Sequence, residues 1–294
     1  MNKTQLSLLL IGTLLASVAF AAENSLKKRK KAEDIQVTTA PAPKTVVKPW
    51  EPTAFDQDVG RLPPNYPGLD PVKFFEMFKS KVGSLEKGEF ETSEEFTKRT
   101  ANKDALLSPI NTTDTYAFRI SDISVKYDAD AQTYLIGGQY GYSCKATYSF
   151  DWVTCKVSTV SRDDDTYVGS NAYGASRTVE RTRGRDFALA MTKGSAVLST
   201  AFTQERDRKD RLSFQDRLPM PLEKARDLKD MKVAVLFVGR ITDAKIVEGR
   251  GTTIKPRIDW PINMFIMEEA VPFELKKLIY YVIQTGEILG QRVY

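Results

Sequence analysis

From about residue 114 onward, segment after segment of this chain alternates apolar and polar residues. Tyr116, Phe118 and Ile120 form the first such series. Successive side chains of a strand point to opposite faces, so this pattern is typical of strands with one face against a core. Turn-prone residues separate the segments, which favours hairpins. The sequence therefore predicts a fold with more strand than helix.

Two helices are predicted ahead of the strands. The pair Asp70-Pro71 suits a helix cap and a first helical residue, and it predicts a helix over about 71–83. Thr92 and Glu95 have capping-box spacing, which predicts a second helix over about 92–106.

A third helical pattern, PMPLEKARDLKDM, runs into the apolar strand VAVLFVGRI. We therefore predict an α+β fold, predominantly antiparallel β, with an N-terminal helix pair and one further short helix.

Three later segments are assigned by their local chemistry. The stretch LKKLIYYVIQ (275–284) fits a helical stripe as well as a strand, but the IYYVI core and the turn pair Thr285-Gly286 favour a hairpin. Asp163 to Asp165 predict a polar turn, because aspartate is a preferred turn residue. The segment VLSTAF predicts a strand.

The beginning of the chain predicts an export signal followed by a linker. Lys3, an apolar run over 6–20 and the small-residue site Ala19-Phe20-Ala21 predict a signal peptide over 1–21. Residues 22–68 are basic and then proline-rich, which predicts a disordered linker. Residues 69–294 are expected to form the folded α+β part, as one domain or two subdomains.

A run of five basic residues follows the predicted cleavage site: Lys27, Lys28, Arg29, Lys30 and Lys31. The whole chain has a formal net charge of +5, and residues 32–294 sum to zero. We expect no nucleic-acid partner, because such a partner requires a basic folded surface. The run is interpreted as a weak contact to anionic membrane lipids or as a solvated tail. It also permits an alternative, an uncleaved segment that anchors the protein in the inner membrane.

The chain has two cysteines, Cys144 and Cys155, in strand-like surroundings. A hairpin between them would place the two sulfur atoms opposite each other, and we predict a disulfide. Two separate buried thiols are the alternative. A disulfide requires an oxidising compartment, so it favours a periplasmic or secreted protein over the anchored alternative.

The chain contains no histidine. Catalytic triads, Cys-His pairs and most zinc sites are therefore excluded within this chain. We recognise no catalytic motif, and we predict no enzyme activity, no metal and no cofactor. Carboxylate chemistry survives the exclusion, and a cell-wall hydrolase that uses two carboxylates is the alternative.

One basic pattern is a candidate binding site. Arg177, Arg181, Arg183 and Arg185 share one parity, so a strand would place them on one face. Guanidinium groups bind carboxylates and phosphates, which predicts an anion-binding patch and a polyanion-binding function as a second alternative. A solvated strand face paired with nearby acids is the competing interpretation.

Three stretches, KGEFETSEEFTKR, YVGSNAYGASRTVERTRG and PMPLEKARDLKDMKVAVLFVGRI, resemble patterns in uncharacterised exported bacterial proteins. The resemblance implies an N-terminal helix pair before a β-rich domain, and it carries no activity or site. We expect a non-enzymatic binding or support module of the bacterial envelope, whose partner is an envelope protein or a wall polymer.

Overall fold

The computed structural model describes residues 49–294 except 121–122, 138–142, 148, 150, 201 and 206–207. The predicted signal peptide, the basic run and the first part of the predicted linker lie outside the described residues. No helix in the described part of the chain is long and apolar enough to cross a membrane.

The fold is a strand-rich α+β fold built on a large, mostly antiparallel sheet. The helices are α1 (Pro71–Gly83), α2 (Ser93–Arg99), α3 (Lys103–Leu107), α4 (Ala196–Thr200) and α5 (Leu222–Asp227). The strands are β1 (Tyr116–Ile120), β2 (Val125–Asp128), β3 (Thr133–Gly137), β4 (Ser143–Ala146), β5 (Trp152–Ser170), β6 (Ser176–Thr192), β7 (Phe202–Glu205), β8 (Arg208–Pro219), β9 (Val233–Ile241), β10 (Val247–Glu248), β11 (Thr252–Ile254), β12 (Ile262–Val282) and β13 (Ile288–Val293).

Strand β12 organises the sheet because each half of it has different neighbours. The first half pairs in parallel with β6 and antiparallel with β10 and β11. The second half pairs antiparallel with β9 and β13. Strands β9, β10 and β11 follow one another along one edge of β12, so β6 and β13 share the other edge.

Helix α1 closes the main core. Asp70 caps it by accepting hydrogen bonds from the backbone N–H groups of Val72 and Lys73. Its Phe74 and Phe75 side chains are fully buried, and both rings pack against Phe187 of β6. Each such burial contributes about 1.5–3 kcal/mol, so this contact holds the helix on the sheet.

The structure has two short helices where the sequence predicts one over 92–106. Helix α2 has the predicted capping box between Thr92 and Glu95 and ends at Arg99. Asn102 then leaves the helical conformation, and its side chain accepts a hydrogen bond from the N–H of Ala105 to begin α3. An asparagine in this position offers the backbone a cap in place of a continuous helix.

Residues 49–68, which the sequence assigns to the linker, lie against the sheet instead. We call this segment the strap. The N–H of Leu62 donates to the carbonyl of Gly286 at 2.9 Å, and Asn65 donates to Ile283 at 2.7 Å. Leu62 is buried in an apolar cluster with Tyr281 and other residues of β9 and β12. The prolines of this segment lack N–H groups, but its apolar side chains still pack on the sheet. Contacts with the folded part therefore begin near Trp50 and not at residue 69.

The hairpin prediction for the last segment is confirmed, because β12 and β13 pair across the Thr285-Gly286 turn. The predicted strand VLSTAF is wrong in its first part. Val197 and Leu198 are neighbours and both buried, which a strand with one buried face does not allow, and they belong to α4. Only Phe202 begins a strand.

The predicted turn at Asp163 to Asp165 is also wrong, since these residues lie inside β5. Each has a compensating partner directly across on β6. Asp163 faces Arg183, Asp164 faces Thr182 and Asp165 faces Arg181. Such cross-strand pairs outweigh the low strand preference of aspartate.

Candidate interaction surface

Part of the sheet continues beyond the main core as a ribbon of four strands. We call it the β-arm and define it as residues 161–170 of β5, 176–185 of β6, 252–254 of β11 and 262–267 of β12. Most of its side chains are exposed or half-buried. Among the described residues no strand pairs with the outer edge of β5 along this stretch.

The predicted arginine row lies on the β-arm. In the register of β6, Arg177, Arg181, Arg183 and Arg185 share the face that continues into the buried Phe187. The four arginines therefore lie on one face of β6, and the register shows which residue lies opposite each of them.

Three of the four arginines are paired with acids. Arg181 Nε donates to Asp165 Oδ1 at 2.7 Å, and a second bond joins Arg181 Nη2 to Asp165 Oδ2. Arg183 Nη2 donates to Asp163 at 2.8 Å. Asp163 and Asp165 lie directly across from these arginines, so the pairs follow from strand register.

Arg185 joins the β-arm to the core. Its Nη2 lies 3.3 Å from Glu76 of α1, and its Nη1 lies 3.8 Å from Glu269 of β12. Lys79 of α1 also contacts Glu269, at 2.5 Å. In contrast, Arg177 lies opposite Gly169 near the tip, where the facing residue offers no acid.

The pairing is reflected in the titration of these groups. The hydrogen bonds from Arg181 lower the pKa of the Asp165 carboxyl, and the same bonds raise the pKa of the Arg181 guanidinium. Both groups are therefore ionised near neutral pH, and their charges cancel locally.

A row of large apolar side chains runs beside the arginines on the same face. Phe265 of β12 lies across from Arg183 and is 52% exposed, and Met267 lies across from Arg185 and is 44% exposed. The face also holds Tyr167, whose ring lies 5.1 Å from the Arg181 guanidinium and whose hydroxyl accepts a hydrogen bond from Asn263 at 3.0 Å.

Two further exposed aromatic residues lie next to the β-arm in the chain. Tyr173 occupies the turn between β5 and β6 and is 96% exposed. Trp260, just before β12, is 58% exposed. Sequence reasoning missed these residues as a group, because alternation alone does not say whether the apolar face of INMFIM is covered.

The cysteines lie where β4 meets β5. Cys144 and Cys155 are direct cross-strand partners with a Cα–Cα distance of 4.3 Å, and both are fully buried. The predicted pair is therefore within disulfide distance.

The buried carboxylates nearest to a catalytic arrangement are Asp186 and Glu268, which are neighbours across the parallel β6–β12 pair. Asp186 is paired with Lys156 at 3.0 Å and Arg162 at 2.6 Å. Glu268 accepts a hydrogen bond from the Thr154 hydroxyl at 2.5 Å, and burial raises the pKa of its carboxyl.

These carboxylates are held in place rather than presented to a cleft. They are only 7% and 5% exposed, and the Gly249 backbone lies over Glu268 so closely that a Cβ there would be 2.4 Å from Oε1. No group of three metal-ligating side chains occurs in the described residues.

No protein-family model, curated protein or solved structure matches this chain. The resemblance to uncharacterised exported bacterial proteins stays a prediction.

Proposed function

We propose that this protein is an exported, periplasmic, non-enzymatic module of a bacterial envelope that binds another envelope protein through the β-arm. The observation that carries the proposal is the exposed apolar pair Phe265 and Met267 of the β-arm, with the exposed Tyr173 at the tip and Trp260 just before β12. Large exposed apolar patches rimmed by polar residues are typical of interaction sites.

The composition of this face favours a protein partner. Aromatic residues, methionine and arginine are enriched at protein interfaces, and tryptophan, tyrosine and arginine contribute most of the binding energy there. The charges beside Phe265 are already paired within the β-arm, so covering them leaves no isolated charge buried.

The same pairing argues against a polyanion as the partner. A polyanion would have to compete with Asp163 and Asp165 for Arg183 and Arg181. Arg185 lies across from Ser161 but pairs with Glu76 and Glu269, so in the described part of the chain Arg177 is the one arginine of the four without an acid partner. A face whose arginines are mostly ion-paired and which carries apolar side chains suits a protein better than a phosphate-rich or carboxylate-rich polymer.

A carboxylate-dependent hydrolase has weaker support. Its acids should converge in a cleft that substrate can enter. Asp186 and Glu268 are adjacent but buried and bound by other side chains, so hydrolysis would require Gly249 and its neighbours to move away.

Export is supported by the position of the cysteines and by the sequence of the first 21 residues. Intact mass spectrometry of the protein from an envelope fraction tests it. The expected mass is that of residues 22–294 less two hydrogen atoms. An intact Met1 with free thiols would overturn the export proposal.

The partner proposal is tested with a photo-crosslinking residue placed at Phe265 in the full chain, expressed in the native envelope. The expected result is one dominant protein adduct, lost when Met267 is also changed to Asp. Met231 is the matched control position, because it is an exposed apolar residue after α5 and outside the β-arm.

Equal adducts at Phe265 and Met231 would contradict the proposal. So would sedimentation of the protein with purified wall polymer in a manner that depends on Phe265, which would identify a polymer partner. Release of soluble sugar fragments from that polymer, abolished by Glu268→Gln, would favour the hydrolase.

A further inference from the structure

A cavity lies beside β12 at the point where its neighbours change. Pairing with β6 ends at Pro272, and pairing with β13 begins at Lys277. Both neighbours lie on the same edge of β12, and the N–H of Tyr294 still donates to the Lys276 carbonyl at 2.9 Å, so the edge at residues 273–275 faces a gap. The cavity in this gap has a volume of about 490 Å³, within the range of small-molecule sites.

The gap follows from the sequence of β12. Pro272 has no N–H to continue a ladder, and Lys276 lies in a β-bulge, where β9 offers it no register partner. The start of α4 and the end of β6 border the opening on the other side.

The cavity is lined by side chains from both faces of the interrupted sheet. Phe273 and Leu275 belong to the apolar core, whereas Glu274 and Lys276 alternate with them and are polar. A continuous sheet would keep these two faces apart. The gap therefore gives the cavity an apolar part and a charged part.

The side chains that line the cavity carry one positive charge in excess. Arg240 Nε donates to Glu274 Oε2 at 2.6 Å, and Lys276 Nζ donates to Glu274 Oε1 at 2.5 Å. These two cations share a single acid. The hydrogen bond from Lys276 and then that from Arg240 lower the pKa of the Glu274 carboxyl, so it stays ionised and does not change this balance near neutral pH.

Donors remain for a ligand. Arg240 uses only its Nε toward Glu274, and in the described part of the chain its two Nη atoms make no hydrogen bond. Ser195 also lines the cavity. Its Oγ is buried and has no hydrogen-bond partner among the described residues. A buried hydroxyl without a partner is destabilising, and rotation of the Ser195 side chain toward the cavity would let a bound carboxylate accept its hydrogen bond.

We propose that this cavity binds a small organic anion, a single carboxylate on an apolar body, with the carboxylate at Arg240 and Ser195 and the apolar body against Phe273 and Leu275. The guanidinium fork matches a carboxylate in geometry. This site is separate from the β-arm, and its ligand does not depend on the proposed protein partner.

Isothermal titration calorimetry of the full chain with octanoate tests the proposal. The expected result is saturable binding of one octanoate per chain. Octan-1-ol, which has the apolar body without the charge, is expected to bind at least tenfold more weakly, and inorganic phosphate is expected not to bind.

Arg240→Gln is expected to weaken octanoate binding at least tenfold and to leave octan-1-ol unchanged. Arg226→Gln is the matched control, because Arg226 is an exposed arginine on α5 that pairs with Glu223 away from the cavity. Should Arg240→Gln fail to fold by circular dichroism, Lys276→Gln removes the excess charge while keeping the Arg240–Glu274 pair.

The proposal is overturned if octanoate shows no saturable binding, or if octanoate and octan-1-ol bind equally. It is also overturned if binding is the same in the folded charge variant and in Arg226→Gln. Tight binding of phosphate instead of octanoate would replace the carboxylate with a phosphate ligand and contradict the assignment.

Discussion

The two halves of β12 have similar strand sequences and opposite surroundings. In the second half, the side chains of residues 278–282 are fully buried on both faces of the sheet. Leu278 and Tyr280 belong to the main core, and Ile279 and Tyr281 belong to the cluster under the strap. In the first half, Phe265 and Met267 are exposed. Whether an apolar side chain of β12 is buried or exposed therefore depends on the segments that pack over it and not on strand propensity.

The strap makes this difference. Leu62 and the partly buried Phe55 and Tyr66 cover the outer face of β9 and the second half of β12. Tyr281 donates its hydroxyl hydrogen bond to the Tyr66 carbonyl at 2.7 Å. The apolar face of the β-arm has no comparable layer among the described residues, which is why we assign it to a partner.

Truncation of one apolar residue in each half of β12 tests whether cover by other segments decides the burial. Leu278→Ala is expected to lower the free energy of unfolding by about 2–5 kcal/mol, because a fully buried leucine leaves a cavity. Phe265→Ala is expected to change it by less than about 0.5 kcal/mol. Urea denaturation of both variants measures the difference, and equal losses would mean that the β-arm is part of the core.

The sequence predicts those parts of the fold that depend on interactions between residues close in the chain. The capping box at Thr92 and the Thr285-Gly286 hairpin were predictable, since the deciding interactions are local. The inclusion of Asp163 to Asp165 in a strand was not, because the compensating arginines lie on another strand and depend on register.

The candidate surface was predictable only in part. Parity placed Arg181 and Arg183 on one face, but their neutralisation by β5 and the exposure of Phe265 depend on long-range packing. The packing of the strap on the sheet was not predicted. Its prolines indicate extended backbone, and such backbone can pack on a sheet as well as form a linker.

The next prediction compares glycines at the strap and at the β-arm tip. Gly286 has φ +70°, and a Cβ there would lie 1.9 Å from the Leu62 carbonyl oxygen of the strap. Gly286→Ala is expected to cost about 2–4 kcal/mol, from the left-handed conformation and the forced displacement of the strap.

Gly174, at the tip, is the matched control. Its φ is +79°, and a Cβ at this residue would have no neighbouring heavy atom within 4 Å. Gly174→Ala therefore carries the conformational cost of about 1–2 kcal/mol alone, and fraying of the tip reduces its effect on global unfolding. Thermal unfolding of the two variants is the measurement, and a larger loss at Gly174 would show that the strap contributes little.

A polar cluster of Asp216, Tyr280 and Arg292 holds the second half of β12 on the main-core face, opposite the strap. Asp216 of β8 accepts hydrogen bonds from the Tyr280 hydroxyl and from Arg292 Nε at 3.1 Å, and so joins β8 to β13 and β12. Burial, followed by the hydrogen bond to Asp216, raises the pKa of Tyr280. Asp216→Asn is expected to cost about 1.5–3 kcal/mol, since the hydrogen bonds lose their charged acceptor and one of its two oxygen atoms.

The matching change on the β-arm side is Asp259→Asn. Asp259 pairs with Arg257 at 2.9 Å, but both side chains are largely exposed. Such exposed pairs contribute about 0–1 kcal/mol. Chemical denaturation at neutral pH measures the free energy of unfolding of both variants. An equal loss for Asp259→Asn and Asp216→Asn would show that the Asp216 contacts contribute no more than an exposed ion pair.

Ionisation of the Glu268 carboxyl, at the base of the β-arm, is expected to make the free energy of unfolding depend weakly on pH. Burial raises the pKa of Glu268 from its ordinary value of 4.5, although Thr154 and Lys145 oppose this, while Asp186 adds to it. The folded state therefore holds this proton more tightly than the unfolded state, and its contribution to stability is present below about pH 4 and lost as the pH rises through the folded pKa.

Glu268→Gln cannot ionise, so the stability of the variant relative to the natural protein is expected to increase between pH 4 and 7. Glu223→Gln is the control variant, because Glu223 lies at an exposed site on α5. Parallel stability curves for Glu268→Gln and the natural protein would show that burial of this carboxylate is fully compensated by its neighbours.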